Sequence, residues 1–226
     1  MKRIITAFSL CTLLGVLSFA DSGDGKSTKG SSGSVTVYQV PWRCPAALQI
    51  GCGSHAKPIL LRLERSPGVG EAWLNGRGTT VAVIWKVGTK RKERKGAEQI
   101  LKEAEGTRLR GEEEAKSLAD FASRKGWYRG PAVDRLSEEE AEIIAARWVR
   151  RLRTKTTLTE EKAIGLREAL ADGLGKCLTG QTEMPVTEEK KLAELRRISG
   201  PFLDEEQIKM LAEAAACGMR ARPDEE

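Results

Sequence analysis

Two short alternating stretches, followed by a long region without any, set the main limit on how this chain folds. "SVTVYQV" (34–40) and "TTVAVIWK" (79–86) alternate β-branched or aromatic residues with others, and this pattern predicts strands. From about residue 112 the chain is rich in Ala, Leu, Glu, Lys and Arg at helical spacing. We therefore predict an α+β protein with two domains, a small head over 35–111 and a helical domain over 112–226.

The N-terminus has the pattern of a secretory signal peptide. Lys2 and Arg3 precede the apolar run "IITAFSLCTLLGVLSF", and small residues lead to a predicted cut after Ala20. The run is shorter than the roughly 20 residues of a membrane-spanning helix, and no later stretch is long or apolar enough to be one. The sequence therefore predicts a periplasmic or secreted chain with no integral membrane span after processing. Residues 21–34, "DSGDGKSTKGSSGS", are predicted to be a flexible linker.

The net charge argues against a nucleic-acid partner. The whole chain carries +6, and removing Lys2 and Arg3 with the signal peptide leaves +4, because residues 1–20 contain no acid. This surplus is small for a protein in which 31% of the residues are charged.

A recurrent capping pattern marks helix starts in the C-terminal half. "LSEEEA", "LTEEKA", "VTEEKK" and "LDEEQI" each place an apolar residue before Ser, Thr or Asp and then two glutamates. They predict helices at about 137–153, 159–177, 187–198 and 204–217, with another near 112–124. Glu140 and Gln207 stand where they could complete a reciprocal capping box.

Two basic segments are predicted to be solvated. In the first long helix, four arginines lie opposite an apolar stripe and predict a basic face in water: Arg147, Arg150, Arg151 and Arg153. "KVGTKRKERK" (86–95) follows a strand, contains Gly88 and is predicted to be a surface loop.

One thiol and the only histidine of the chain are close neighbours in "CGSH", where Cys52 precedes His55 by three residues. The "PGVGEAWLN" segment that follows (67–75), together with this pair, resembles the heavy-metal-associated domain family, which includes copper chaperones and the periplasmic mercury-binding protein. The resemblance extends over about residues 46–110. It implies a ferredoxin-like βαββαβ head, ahead of a bundle of four or five helices in which we see no family. It also implies that Cys52 and His55 occupy the positions of the two metal-binding cysteines of the family.

The sequence departs from the family pattern at this pair. Cys-x-x-His replaces Cys-x-x-Cys, "QIGC" stands where the family has Gly-Met before the first cysteine, and Pro58 is expected in the first helical turn. A thiolate and an imidazole still suit a soft or borderline ion, namely Cu(I), Hg(II) or Zn(II). Two ligands are few, so Cys44 is a candidate third ligand.

The remaining cysteines leave alternatives open. In an oxidising compartment Cys44 and Cys52 could form a disulfide, which would leave the head without metal. Cys177 and Cys217 are predicted to be a disulfide pair, and the rival interpretation joins them to Met219 as a soft-metal cluster.

The predicted function is therefore the binding or sequestration of a soft metal ion outside the cytoplasm, with a membrane transporter or another exported protein as candidate partner. The alternative is a metal-free structural or interaction module with disulfides. We predict no enzymatic activity, because the chain has no second histidine to act as a base, no Gly-rich phosphate loop and no Cys-x-x-Cys.

Overall fold

The computed structural model describes residues 33–223. The predicted signal peptide, its cut after Ala20 and most of the predicted linker lie outside these residues. The described residues all belong to one compact unit, Ser31–Glu226. They form an α+β fold with seven α-helices and one five-stranded antiparallel sheet. No helix in this part of the chain is long and apolar enough to cross a bilayer.

Every neighbouring pair of strands in the sheet is antiparallel. The strands are β1 (Val35–Gln39), β2 (Val69–Asn75), β3 (Thr80–Trp85), β4 (Thr107–Arg108) and β5 (Trp127–Tyr128). They lie in the order β4-β1-β3-β2-β5, so the central strand β3 pairs with both β1 and β2.

The hairpin between β2 and β3 is fixed by one side chain and one glycine. The Asn75 carboxamide oxygen accepts the backbone N–H groups of Thr79 at 2.8 Å and Thr80 at 3.1 Å. Gly78 has a φ of +67°, a left-handed conformation that L side chains rarely adopt. These contacts set the pairing register, in which Ala72 faces Val83.

The predicted alternation of β3 is confirmed. Val81, Val83 and Trp85 are buried in one core, under helix α1 (Gly53–Glu64) and helix α2 (Arg91–Glu103). Ala82 and Ile84 lie on the opposite face of the sheet and pack in a second core.

Both of these helices begin earlier than the sequence predicts. Helix α1 starts at Gly53, so Pro58 is its sixth residue and not part of the first turn. Helix α2 starts at Arg91, inside the segment predicted to be a loop, because the Glu93 carboxylate accepts the Lys90 N–H at 2.8 Å and closes the first turn. The assignment of the whole segment 86–95 to a loop is therefore wrong.

Helix α3 (Gly111–Ala122) covers the second face of the sheet, where Trp127 of the edge strand β5 also packs. Phe121 and Trp127 stack edge to face with ring centroids 4.8 Å apart, and both are buried with Ala82. The predicted domain division after residue 111 stays a prediction, and α3, which follows that point, packs against the sheet.

Four further helices complete the described chain: α4 (Asp134–Arg153), α5 (Glu160–Leu178), α6 (Glu188–Ser199) and α7 (Glu205–Ala216). Three of the four predicted caps are confirmed. Thr159, Thr187 and Asp204 each accept the backbone N–H three residues on. The fourth is wrong, because a 3-10 turn at Gly130–Val133 leads into α4 and its helix begins at Asp134, which places Ser137 inside it.

The predicted solvated face of α4 is also partly wrong. Arg150 and Arg153 are exposed, but Arg147 and Arg151 are only 8% and 5% exposed. They donate to backbone carbonyl oxygens beyond the end of α7, Arg147 to Met219 and Arg151 to Gly218. These arginines therefore tie α4 to the C-terminal segment.

Both edges of the sheet are short or blocked. On the β1 side, β4 pairs with Tyr38 and Gln39, and Leu109 donates its N–H to Val37. On the β2 side, β5 pairs with only two residues, and the N–H of Ala72 is bonded instead by the Glu64 carboxylate at 3.2 Å.

Candidate metal-binding loop

The segment between β1 and α1 folds back on itself and brings Cys44 and Cys52 close together. The N–H of Cys44 donates to Ile50 at 2.9 Å, and the N–H of Cys52 donates to Trp42 at 2.8 Å. These two bonds flank the bridged pair Arg43 and Gly51. Cys44 and Cys52 are therefore diagonal neighbours across a very short antiparallel ladder.

Two glycines allow this fold-back to lie against the β2–β3 hairpin. A Cβ at Gly51 would lie 2.8 Å from the Cα of Gly78, and one at Gly78 would lie 2.3 Å from the carbonyl oxygen of Trp42. Any side chain at either position would push the two backbones apart, so the loop is positioned by close glycine packing.

Cys52 and His55 lie together at the N-terminal end of α1. Cys52 is the N-cap residue, is half-buried, and its sulfur lies 3.4 Å from the Ser54 hydroxyl. His55 is the third helical residue and is exposed, and its ring lies edge-on to Trp42 with centroids 5.9 Å apart. The predicted pair is therefore within one helical turn, at a helix start that no side chain caps.

Cys44, the predicted third ligand, occupies a different environment. It is fully buried, and its sulfur accepts the N–H of Ala46 at 3.3 Å. Burial, followed by the hydrogen bond and the charge of Glu140, raises the pKa of the Cys44 thiol to about 12. Cys44 is therefore a neutral thiol at neutral pH, in contact with α4.

Cys52, His55 and Cys44 are not assembled into a three-ligand cage. Across residues 33–223, no group of three or more His, Cys, Asp and Glu side chains is placed to hold a metal ion. Two of the predicted ligands are at the surface of one helix end, and the third lies in the core beside it.

The first turns of α4 place two polar side chains in this region, Ser137 and Glu140, which were predicted to form a capping box. Ser137 is fully buried and Glu140 is only 5% exposed. Ser137 Oγ and Glu140 Oε2 have no hydrogen-bond partner among the described protein atoms. Burial raises the pKa of the Glu140 carboxyl, and the hydrogen bond to Cys44 opposes this rise.

Helix α1 and helix α4 meet at Gly53. A Cβ there would lie 2.6 Å from Ser137 Oγ and 2.8 Å from the carbonyl oxygen of Val133. Nearby, Lys57 and Asp134 form an ion pair at 2.7 Å. Helix α4 begins at Asp134, before the predicted cap Ser137. The proline of the preceding "GPAV" turn is the sequence feature that indicates this start, because proline favours a first helical turn.

No disulfide joins the four cysteines that the structure describes. The predicted Cys177–Cys217 bond is not formed, and each thiol instead has a local hydrogen-bond partner. Cys177 contacts the Thr182 hydroxyl at 3.3 Å, and Cys217 donates to the Glu213 carbonyl of its own helix at 3.2 Å. The alternative Cys44–Cys52 bond is absent as well.

Two cavities lie in the helical part and do not border Cys52 or His55. The first, of about 780 Å³, lies between α5, α6 and α7 and is mainly apolar, and Cys177, Met184 and Met219 are in its wall. Cys217 does not line it, so the structure does not assemble the proposed Cys177–Cys217–Met219 cluster there. The second, of about 750 Å³, lies between α4 and α5 and has a mixed-charge lining.

No protein-family model, curated protein or solved structure matches the chain. The resemblance to the heavy-metal-associated family therefore depends on the residues of the "CGSH" and "PGVGEAWLN" segments.

Proposed function

We propose that the protein is an exported metal-binding protein that holds a soft ion, Cu(I), Hg(II) or Zn(II), through Cys52 and His55. The observation that carries this proposal is the position of both side chains at the N-terminal end of α1, the exposed His55 in its first turn and the half-buried Cys52 at its N-cap. A thiolate and a neutral imidazole are ligands that such ions prefer.

We also propose that the sheet and its first two helices form a ferredoxin-like head, followed by a helical bundle. The element order β1-α1-β2-β3-α2-β4, the strand order β4-β1-β3-β2 and the common core of α1 and α2 support this. In this fold Cys52 ends the connection between the first strand and the first helix, and His55 lies in the first turn of that helix, which is the region where the heavy-metal-associated family binds its ion.

Cys44 is the candidate third ligand, and its burial suggests how it would take part. Ligation needs a thiolate, so Cys44 would have to lose both its proton and its contact with Glu140. Without Cys44 the ion has two protein ligands and open positions for a ligand from another molecule. This arrangement suits transfer to a membrane transporter or another exported protein, and it needs no catalytic group.

The test is a metal titration of the reduced protein against a competing chelator. Cys52→Ser should remove most of the affinity, because a hydroxyl is a poor ligand for soft metals, and His55→Ala should weaken it. His55→Cys, which restores the family pattern, should keep or increase the affinity for Cu(I) and Hg(II). Cys217→Ser is the matched control, because this exposed thiol lies outside the loop.

The affinity should also rise with pH, because a metal ion competes with protons for a thiolate and a neutral imidazole. The titration is repeated at about pH 6 and about pH 8, on either side of the range in which free imidazole loses its proton. Equal affinity of Cys52→Ser and the unaltered protein, or no saturable binding at either pH, would contradict the proposal. Loss of affinity in Cys44→Ala would identify the third ligand.

The second candidate function is a metal-free interaction module. It is favoured by one observation, the burial of Cys44 against Glu140, which uses a potential ligand as a core residue. Absence of metal binding with an intact fold would select this candidate.

A further inference from the structure

A row of exposed basic residues follows the end of β3 and continues along the outer side of α2. We call it the basic face, and it consists of Lys86, Lys90, Arg91, Lys92, Lys95 and Lys102, all exposed. At 100° per residue in an ideal helix, Arg91, Lys95 and Lys102 fall within about 40° of one another. The buried residues of α2, Ala97, Ile100 and Leu101, lie on the other side of the helix.

The side chains of the basic face are not held in ion pairs within the described chain. None of the six forms an ion pair with any residue between 33 and 223. One acid lies among them, since Glu98 falls within about 60° of Arg91, Lys95 and Lys102 around the helix axis, and its carboxylate accepts the Tyr38 hydroxyl at 3.5 Å. Glu93, the one acid among residues 86–95, accepts the N–H of Lys90 with its carboxylate. Arg94 is engaged elsewhere, over the ring of Trp85 at 5.0 Å and with the hydroxyl of Ser34.

The charge surplus of the processed chain is concentrated in this one segment. Residues 86–95 contain six basic residues and one acid, a net charge of +5, whereas the chain without Lys2 and Arg3 carries +4. All other residues together are therefore close to neutral. A surplus confined to one helix face and one turn creates a strong local positive potential.

The position of the basic face in the fold favours a membrane as its partner. The turn before α2 carries Val87, a 69% exposed aliphatic side chain flanked by Lys86 and Lys90. Ser34, near the beginning of the described chain, accepts the N–H of Trp85 and so lies at the same end of the sheet. Since Ser34 is the second described residue, the described chain begins beside this face.

We propose that the basic face binds the surface of a bilayer that contains anionic lipids. Lysine and arginine clusters of this size are attracted to anionic headgroups, and an exposed aliphatic side chain among them can enter the interface. Phosphate groups of the lipids would lie against the ammonium and guanidinium groups of α2, with Val87 directed at the acyl boundary.

This binding would turn the Cys52–His55 end of the sheet away from the bilayer. Trp85 pairs with Val69 at the end next to the basic face, and Lys86 donates its N–H to Gly68 there. Cys52 is at the opposite end, where Trp42 donates its N–H to Gly78. The proposal does not depend on metal binding.

The experiment is co-sedimentation of Asp21–Glu226 with vesicles. This segment contains the whole compact unit Ser31–Glu226 and omits the apolar run, which would itself bind lipid. The vesicles contain either phosphatidylcholine alone or phosphatidylcholine with phosphatidylglycerol. The test variant is Lys86→Gln/Lys92→Gln/Lys95→Gln.

The control variant removes the same charge from three exposed lysines elsewhere, as Lys116→Gln/Lys125→Gln/Lys209→Gln. Binding to the anionic vesicles should fall on the order of a hundredfold in the test variant, from about fivefold per lysine. It should fall much less in the control variant, and salt should weaken the binding of the unaltered protein.

Three results would overturn the proposal. Equal binding to neutral and anionic vesicles would exclude the headgroup charge as the cause. Equal losses in the two triple variants would show an effect of net charge and not of this face. Binding of a DNA duplex or an acidic peptide without binding of anionic vesicles would assign the face to a different partner. Circular dichroism melting curves confirm that both variants are folded.

Discussion

Replacing Gly53 with alanine tests the contact between the starts of α1 and α4. The new Cβ would meet Ser137 Oγ at 2.6 Å, the Val133 carbonyl oxygen at 2.8 Å and the Ser137 backbone nitrogen at 2.9 Å. The hydroxyl can rotate away, but the two backbone atoms cannot. One of the two helices must therefore move.

The expected change in stability is the difference between two effects. Overpacking a filled site costs about 1–3 kcal/mol. Alanine gains up to about 1 kcal/mol over glycine in a helix, and less at the first helical position. We expect a net destabilisation of about 1–2 kcal/mol, which corresponds to a midpoint of thermal unfolding lowered by about 2–8 °C for a chain of this size.

The measurement is thermal and urea unfolding followed by circular dichroism, with Gly96→Ala as the matched control. Gly96 also lies in a helix, but a Cβ there would meet nothing within 4 Å. Its replacement should raise the stability by about 0.5–1 kcal/mol. A Gly53→Ala variant as stable as the unaltered protein, alongside a stabilised Gly96→Ala, would refute the close approach of α1 and α4.

Two further predictions concern buried charge and capping. Burial raises the pKa of Glu140 in the folded chain, so its contribution to stability is fully present below about pH 4.3, the ordinary value, and is lost as the pH rises through the folded value. The free energy of unfolding of Glu140→Gln, relative to that of the unaltered protein, should therefore increase from acid to neutral pH. Urea unfolding that gives the same difference at every pH would contradict this. Asp204→Ala should cost about 1 kcal/mol, because the N–H of Gln207 loses its cap. Asp172→Ala, which removes only a surface ion pair, should cost about 0.5 kcal/mol or less in the same assay.

The parts of the fold that follow from local sequence were predicted well. The alternation at Val81–Trp85 and the caps at Thr159 and Thr187 depend on neighbouring residues only, and the structure has them as expected. Ser137 carries the same local signal and is not a cap. It fails because the preceding turn and the packing against α1 continue the helix backward to Asp134.

In the candidate site, too, features that depend on neighbouring residues were predicted, and contacts between distant segments were not. Cys52 and His55 are three residues apart, so they had to be near neighbours, and the resemblance to the heavy-metal-associated family implied their position at one helix start. The contact of Cys44 with Glu140 joins segments that are distant in sequence, and nothing local indicates it. Arg147 and Arg151 were assigned to water for this reason too, since their acceptors lie in the last residues described.

The way the sheet ends limits how this protein can associate with other chains. A free strand edge is a template on which another strand can add, and this is a common route to aggregation and strand exchange. Here the N–H of Ala72 on the outer side of β2 is already bonded by Glu64, and Arg129 holds that carboxylate at 3.1 Å. An incoming strand would have to displace this charged pair. The salt bridge therefore blocks the addition of another strand along the part of β2 that the short strand β5 leaves unpaired.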